Sequence, residues 1–318
     1  MQKLAIFLTV LLSILTIHFR PAFAEIPIPG PVVSPHWLSK HLDQVRVLDV
    51  RRLANSKLNP GQVEKNFIPG GVLVPFSQVV GSTVQQGKKL KGMTLAPSSF
   101  AKLMAKSGVK NSDTIILTNP GKSILELTYM LRLYWSLKFF NHASVAILDG
   151  GTAHWLLEKL PTTEKNSPPP SHYLVEKPNQ TILAGVDDVK LAQQQSTTQL
   201  LDNRALKYYL GDELNENVVP AQGRGHIPGA YSLPISQLTT NLNSIFHLQN
   251  LEDILEMADM SDLDLTKPTI LYCDTGNYGS VGWFILHELL GNKKTKLFDG
   301  SMHQWAAFNL PVKQGESP

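Results

Sequence analysis

A lone cysteine between a strand and a helix is the residue of this chain best placed to do chemistry. Cys273, the single cysteine of 318 residues, follows the apolar strand pattern 269–272 and precedes the glycine-rich turn 274–280. The free amide hydrogens and positive dipole end of a helix start favour an anion. They lower the pKa of a cysteine from about 8.5 to roughly 3.5–7.5. The setting predicts a nucleophilic thiolate; the alternative is a buried, inert structural cysteine.

The elements that would hold this cysteine are indicated by four sequence signals, each of which occurs twice in the same order. They are an apolar run ending in Asp-x-Arg (45–51 and 199–204), an Ile-Pro-Gly turn (67–71 and 226–230), a strand pattern followed by glycine (114–121 and 269–276), and Asp-Gly before tryptophan (148–155 and 298–305). Such repetition indicates an internal duplication. Within each copy, β-rich runs alternate with helical patterns, which predicts an α/β fold with parallel strands joined by helices.

Local signals predict details of these elements. The dipeptides Ser34-Pro35 and Ala96-Pro97 predict helix starts, because proline suits the first helical turn. The glycines at 279 and 282 predict a close approach of the helix after Cys273 to its strand. The Pro- and Ser-rich segment 166–181 predicts a semi-rigid extended linker, so that the two domains cover 25–165 and 182–318.

The first 24 residues have the pattern of a secretory signal peptide. Lys3 precedes an apolar run over 4–17, and Ala-Phe-Ala stands immediately before Glu25. The apolar run has 14 residues, fewer than the roughly 20 of a membrane-spanning helix, which favours cleavage over anchoring. The pattern predicts a periplasmic or secreted protein that begins near Glu25 and has no membrane association after cleavage.

Composition limits the class of partner. Removal of Lys3 and Arg20 with the signal peptide takes the formal net charge from +3 to +1, which argues against a nucleic-acid partner. One cysteine cannot form an intramolecular disulfide, so the stability of an exported chain must come from its packed cores. The 294 residues that remain of 318 exceed the usual size of one domain, about 100–150 residues, and suit two.

Together these residues resemble the rhodanese (thiosulfate sulfurtransferase) family in its tandem two-domain form. The resemblance is carried by the Asp-x-Arg strand ends, the motif Gly-His-Ile-Pro-Gly-Ala at 225–230, the cysteine turn with Gly276 three residues on, and the Asp-Gly and tryptophan endings. It implies two tandem rhodanese-like domains, each a small parallel sheet flanked by helices. The active cysteine would lie in the C-terminal domain. Thr118 occupies its place in the N-terminal domain, which would be inactive.

The resemblance also implies a mechanism. Cys273 would take a sulfane sulfur from a small donor such as thiosulfate or 3-mercaptopyruvate, become a persulfide, and pass the sulfur to a thiol or cyanide-like acceptor. Backbone amides of residues 274–278 would stabilise the thiolate and persulfide, without a metal or organic cofactor. The residues expected to bind substrate are Asp274, Thr275, Gly276, Asn277, Tyr278 and Arg204.

The turn departs from the pattern of thiosulfate-using members, which often carry a cation there. None of residues 274–278 is cationic, and Asp274 adds a negative charge. Arg204 either offsets that charge or forms a structural ion pair near its strand end. His226 either fixes the turn of its motif or acts as an acid or base. The segment 212–225 is predicted to be a loop beside the cysteine.

The spacing of residues in known catalytic and metal-binding motifs tests other functions. A phosphatase or arsenate reductase loop of the form Cys-x5-Arg needs arginine at position 279, where this chain has glycine. The ten histidines form no His-Glu-x-x-His motif, so no metal site is predicted. A non-catalytic periplasmic binding protein or persulfide carrier remains the alternative to an enzyme, because the turn lacks cations.

Overall fold

The fold is known from a computed structural model that describes residues 26–53, 66–175, 177–195, 197–261 and 263–316. The predicted signal peptide lies outside these residues. The N-terminal half contains the strands β1 (Val32–Val33), β2 (Arg46–Arg51), β3 (Val72–Pro75), β4 (Val80–Gln85), β5 (Lys88–Thr94), β6 (Ile115–Thr118) and β7 (Val145–Leu148). Five of these form a parallel sheet in the order β3-β2-β6-β7-β1.

The C-terminal half repeats this topology. Its strands are β8 (Leu183–Ala184), β9 (Gln199–Asp202), β10 (Ala230–Ser232), β11 (Thr239–Leu242), β12 (Ile245–Leu248), β13 (Thr269–Tyr272) and β14 (Thr295–Phe298). Five form a parallel sheet in the order β10-β9-β13-β14-β8. Because the two orders match strand for strand, the α/β fold with two tandem parallel sheets is confirmed.

Helices connect the parallel strands, as such connections require. They are α1 (Pro35–Lys40), α2 (Pro97–Lys106), α3 (Ile124–Phe139), α4 (Gly151–Leu157), α5 (Val186–Gln194), α6 (Leu206–Leu210), α7 (Leu251–Met260), α8 (Asn277–Trp283) and α9 (Ser301–Ala307), and α8 continues as a π-helix over Phe284–Leu289. Both predicted helix starts are confirmed. Ser34 caps α1 by accepting a 3.1 Å hydrogen bond from the Trp37 amide, and α2 begins at Pro97.

The two halves share one apolar core. Helix α3 is buried on nearly all sides, with 12 of its 16 residues inaccessible, because it packs against its own sheet and against α8. The Tyr134 ring meets the Phe284 ring edge-to-face at 4.7 Å between centroids. The largest apolar cluster contains residues of both halves, among them Trp135 and Trp283. Burial of this apolar surface fixes the relative position of the two sheets.

Two antiparallel hairpins extend from one half onto the other. Hairpin β4–β5 contacts the C-terminal half through the Lys91 amide, which donates to His303 Nε2 at 3.1 Å. Hairpin β11–β12 contacts the N-terminal half through the Phe246 amide, which donates to the Gly121 carbonyl at 3.0 Å. Each half therefore covers the strand ends of the other.

The segment predicted to be a linker packs along the N-terminal half. The Ser171 amide donates to the Ala105 carbonyl at 2.9 Å, and the Tyr173 ring is buried edge-on to Phe100. The boundaries placed at 165 and 181 stay predictions. Among the helices of the described residues, none has the length and apolarity needed to cross a membrane.

Candidate active site

Cys273 lies at the carboxyl end of β13, an interior strand of the C-terminal sheet. Strand ends of this kind are where open parallel sheets bind ligands. The loop that follows, residues 273–279, is called the cysteine loop. The start of α9 holds it: the Met302 and His303 amides donate to the carbonyls of Cys273 and Asp274, each at 3.0 Å. The Ser301 hydroxyl accepts from the Cys273 amide at 3.2 Å.

The cysteine loop directs amides at the sulfur but does not make the thiol acidic. Burial raises the pKa of Cys273, and the charge of Asp274 raises it further; the amides of Gly279, Thr275 and Tyr278 lower it by less. The prediction of a lowered pKa is therefore wrong for the resting protein. A thiol that is only 2% exposed loses the solvation of its charged form, and a neighbouring carboxylate opposes that form again.

Asp274 stands between Arg204 and the loop 212–225. Its Oδ1 lies 3.8 Å from Arg204 Nη1, and its Oδ2 accepts a 2.8 Å hydrogen bond from Asn215. Burial raises the pKa of Asp274, while Arg204 and Asn215 act in the opposite direction. The contact with Asn215 places this loop beside the cysteine loop, as predicted. Val218 of the same loop accepts a 2.6 Å hydrogen bond from His303.

Arg204 was expected either to offset the charge of Asp274 or to form a structural ion pair, and its hydrogen bonds show which role the geometry supports. Its guanidinium binds both carboxylate oxygens of Asp202 and donates to the Gly225 carbonyl at 2.7 Å. The equivalent Arg51 forms the same ion pair with Asp49 in the N-terminal half, which has no cysteine. A structural ion pair is thus common to both copies. Arg204 also contacts Asp274 and offsets the negative charge of its carboxylate. Substrate binding by Arg204 stays a prediction.

The remaining predicted substrate-binding residues lie together in the cysteine loop. Gly276 has the left-handed backbone (φ 79°) that lets helix α8 begin at the next residue. The Oδ1 of Asn277 is buried without a hydrogen-bond partner among the described residues. Thr275 and Tyr278 are half-buried, and burial together with the charge of Cys273 raises the pKa of the Tyr278 phenol to about 12. The structure brings these residues around one sulfur; their roles toward a substrate stay predictions.

His226 and the two glycines of α8 have packing roles. The His226 ring stacks on Tyr209 at 3.8 Å between centroids, and its Nδ1 hydrogen-bonds to the Tyr209 carbonyl at 2.8 Å. This geometry favours the turn-fixing role. A Cβ added at Gly279 would lie 2.7 Å from Leu297, and one added at Gly282 would lie 2.4 Å from Leu271. The predicted close approach of α8 to its sheet is confirmed.

In the N-terminal counterpart of the cysteine loop, one amide is replaced by proline and two others donate to a carboxylate. Thr118 ends β6 as Cys273 ends β13, and Pro120, in the place of Thr275, has no amide hydrogen. The next amides, of Lys122 and Ser123, donate to the carboxylate of Glu126 at 2.8 and 3.2 Å. The carboxylate therefore sits where an anion would bind at a helix start. This arrangement explains physically why the N-terminal copy would be inactive.

Residues of the N-terminal half complete the surroundings of the cysteine loop, and the sequence motifs did not reveal them. Arg132 of α3 binds the Asp299 carboxylate, and the Thr94 amide donates to the same carboxylate at 2.9 Å. Gly92 approaches so closely that an added Cβ would lie 2.8 Å from Thr275. The available signal for Arg132 was a lone arginine inside the run of aliphatic and aromatic residues over 129–135 of α3.

Comparison with known sequences identifies the family. The rhodanese-like domain model matches residues 186–308. A protein of Mycolicibacterium smegmatis, provisionally named a thiosulfate sulfurtransferase, is 33% identical over 68% of this chain and 76% of its own length. The sulfur carrier protein TtuD of Thermus thermophilus is 27% identical over 91% of this chain and 98% of its own length.

Comparison with solved structures gives the same result. SseA from Escherichia coli, described as a 3-mercaptopyruvate sulfotransferase, has a TM-score of 0.70 and 25% identity over 86% of this chain and 98% of its own. An anaerobic ergothioneine biosynthesis enzyme from Chlorobium limicola, 18% identical over 90% of this chain and 70% of its own, shares the fold with a TM-score of 0.74. The chain belongs to the rhodanese family. It is a rhodanese-type sulfurtransferase with two tandem rhodanese-like domains, and such an enzyme requires a small sulfur donor and an acceptor.

Proposed function

We propose that Cys273 is the nucleophile of this sulfurtransferase and carries the transferred sulfur as a persulfide. One observation carries the proposal: the amides of Thr275, Tyr278 and Gly279 are directed at the Cys273 sulfur. They lower the pKa of the thiol, whereas burial raises it. The same amides suit a persulfide anion. Its negative charge lies on the outer sulfur, one atom further from the Cys273 side chain and still beside these amides. In the N-terminal copy, Pro120 stands in the place of Thr275, and the amide of Ser123, in the place of Tyr278, donates to Glu126.

The transfer has two steps. The Cys273 thiolate attacks the outer sulfur of thiosulfate or the thiol sulfur of 3-mercaptopyruvate, so that an S–S bond forms and the donor's S–S or C–S bond to that sulfur breaks. With thiosulfate, the electron pair leaves on sulfite. With 3-mercaptopyruvate, it leaves on carbon, which takes a proton from water to give pyruvate. In the second step a nucleophile such as cyanide or a thiolate attacks the outer sulfur and releases the Cys273 thiolate.

We propose that a donor with one negative charge is used in preference to thiosulfate, which has two. The side chains of residues 274–278 include no cation, and the Asp274 carboxylate lies beside the sulfur. The Arg204 guanidinium is bound by Asp202 and is 2% exposed, so it offers little to a second anion. Repulsion between like charges at a partly buried site therefore disfavours the dianion. A monoanion such as 3-mercaptopyruvate meets less of this repulsion.

The test is thiocyanate production from cyanide with each donor. Wild-type protein and the variant Cys273→Ala are compared at matched concentrations. We expect turnover by the wild type alone, with a higher kcat/KM for 3-mercaptopyruvate than for thiosulfate. Full activity of Cys273→Ala excludes the nucleophile, and a higher kcat/KM for thiosulfate excludes the donor preference.

A second candidate, a persulfide carrier, is favoured by one observation. Burial and Asp274 keep most of the Cys273 thiol protonated near neutral pH, which suits slow loading and protected transport of a sulfur atom. Intact-mass measurement after exposure to a donor separates the candidates. A carrier gains the mass of one sulfur atom at Cys273 and keeps it when cyanide is added, whereas the enzyme releases it as thiocyanate.

We further propose that the protein is exported and begins near Glu25. The support is the pattern of residues 1–24, with an apolar run over 4–17 and Ala-Phe-Ala before Glu25. The test is N-terminal sequencing of the protein recovered from cell fractions after expression of the full chain. A start near Glu25 in the exported fraction supports the proposal, and a chain that keeps residues 1–24 in the cytoplasmic fraction contradicts it.

A further inference from the structure

A buried arginine of the N-terminal half lies against the cysteine loop of the C-terminal half. Arg132 projects from α3, and its side chain is 0% exposed. Its Nη2 donates to the Asp299 carboxylate and, at 3.2 Å, to the Gly92 carbonyl. A Cβ added at Gly276 would lie 2.8 Å from Arg132 Nη1. The guanidinium therefore reaches the left-handed turn three residues after Cys273.

Two hydrogen-bond donors of this guanidinium find no acceptor among the described residues. The Nε and Nη1 atoms of Arg132 are buried and have no hydrogen-bond partner there. Leaving a buried donor unpaired is unfavourable, and leaving a charged one unpaired is more so. Replacing a buried ion pair by well-packed apolar side chains is often neutral or stabilising, so stability alone does not account for a buried arginine here. The unpaired face of Arg132, which includes Nη1, is the face next to Gly276.

The charge of Arg132 matters because the cysteine loop has no cation. Titratable or charged groups reach the loop and its immediate surroundings from several elements; these are Asp274, Tyr278, Tyr208, Arg204, Asp202, His303, Tyr129 and Asp299. Arg204 is held by the two oxygens of Asp202. Arg132, by contrast, meets Asp299 through Nη2 and leaves Nη1 directed at the loop.

We propose that Arg132 is a positioning residue for Cys273. It supplies, from the other half of the chain, the positive charge that the cysteine loop lacks. Its Nη1 also packs against Gly276, so that the loop amides stay directed at the sulfur. The inference rests on the proposed role of Cys273 as the nucleophile. It makes the N-terminal half, whose own loop has no cysteine, part of the machinery that prepares the thiolate. A positive charge behind the loop favours the thiolate over the thiol.

The test is the pH dependence of Cys273 alkylation by iodoacetamide. Cys273 is the single cysteine of the chain, so alkylation reports on it alone. Replacement Arg132→Met removes the charge and keeps most of the volume. We expect the midpoint of the profile to rise and the rate near neutral pH to fall by about threefold to tenfold, because a pKa rise of roughly half a unit to one unit reduces the thiolate by that factor. Arg132→Lys keeps the charge and restores part of the rate.

A second variant, Asp299→Asn, should shift the midpoint of the alkylation profile in the opposite direction. Asp299→Asn keeps an acceptor for the Thr94 amide but leaves the charge of Arg132 without its counter-charge. We expect the alkylation midpoint to fall and the rate near neutral pH to rise by about threefold or more. If the contact serves structure alone, both variants change the profile in the same direction or leave its midpoint unchanged. Either of those results overturns the proposal.

Lys138→Met is the matched control, because it removes a cation from the same helix at a position beside Glu288. It is expected to leave the alkylation profile unchanged, and a shift as large as that of Arg132→Met overturns the proposal. If Arg132→Met does not fold, Asp299→Asn decides: a lowered midpoint supports the role of Arg132, and an unchanged or raised one overturns it. Alkylation requires no sulfur donor, so failure here is distinguishable from failure of the turnover assay.

Discussion

The Asp274 carboxylate lies 3.8 Å from the Arg204 guanidinium, on the residue directly after the candidate nucleophile. Arg204 is already bound through two oxygens by Asp202, so it neutralises Asp274 only in part. The remaining negative charge opposes the Cys273 thiolate and raises the pKa of its thiol. The same charge is the basis of the proposed preference for a singly charged donor.

Replacing Asp274 by asparagine should make the thiol more acidic. Asp274→Asn removes the like charge and keeps an acceptor for Asn215, so the loop contact is retained. We expect the Cys273 pKa to fall, because the carboxylate charge raises it, and the thiolate near neutral pH to rise about threefold to tenfold. The measurement is the pH profile of Cys273 alkylation, together with kcat/KM for thiosulfate, which should rise more than that for 3-mercaptopyruvate.

Asp212→Asn is the control for this variant, because Asp212 is an exposed acid of the neighbouring loop. It should change neither the alkylation midpoint nor the ratio of the two kcat/KM values. An Asp274→Asn protein whose midpoint matches that of the wild type would show that the carboxylate does not act on the sulfur.

Transplanting the cysteine into the N-terminal half should not create a second active site. In the double variant Thr118→Cys with Cys273→Ala, the new thiol would lie at the carboxyl end of β6, as Cys273 lies at the carboxyl end of β13. Pro120 offers no amide hydrogen, and the Lys122 and Ser123 amides already donate to Glu126. We expect no thiocyanate production above that of Cys273→Ala alone. Turnover by the double variant would contradict this account of the inactive copy.

The sequence motifs predicted those features of the site that neighbouring residues determine. The strand before Cys273 and the helix after the glycine-rich turn depend on residues next to one another, and both follow from the sequence around the cysteine. Arg132 reaches Asp299 across 167 positions of sequence, and no local pattern predicts that pairing. The raised pKa of Cys273 depends on complete burial, which a turn motif does not encode.

The contact between hairpin β4–β5 and the cysteine loop can be tested with two glycines. Gly92 and Gly87 both have positive φ, 73° and 71°, but an added Cβ meets Thr275 at 2.8 Å only at Gly92. Gly87→Ala should cost about 1–2 kcal/mol, the strain of a left-handed alanine, without loss of activity. Gly92→Ala should cost roughly 1–3 kcal/mol more and lower kcat/KM, because Thr275 and its amide must move away from the sulfur.

The measurements for this pair are thermal unfolding and thiocyanate production. The matched φ values separate backbone strain from the contact with Thr275. Equal losses of stability and activity in Gly87→Ala and Gly92→Ala would show that the hairpin contact does not support the cysteine loop.

The hydrogen bond between Tyr134 and Glu288 should make the union of the two halves sensitive to acid. The Tyr134 hydroxyl donates to Glu288 Oε2 at 2.7 Å, from α3 to the π-helical end of α8. Burial alone would raise the pKa of Glu288, but hydrogen bonds from His287 and Tyr134 outweigh it and lower the pKa from 4.5 to about 2. A carboxyl with a lowered pKa in the folded state stabilises above its unfolded pKa. That stability is lost as the pH falls from about 4.5 toward 2.

The variant Glu288→Gln should therefore be less stable than the wild type at neutral pH and approach it in acid. At neutral pH we expect a loss of roughly 1.5–3 kcal/mol, the usual size for a hydrogen bond to a charged group. The measurement is the difference in Tm between the two proteins at pH values above and within the titration range of Glu288. Glu213→Gln is the control, since Glu213 pairs with Lys207 at an exposed position. A difference in Tm that does not shrink in acid would mean that the ionised Glu288 carboxylate does not stabilise the contact between α3 and α8.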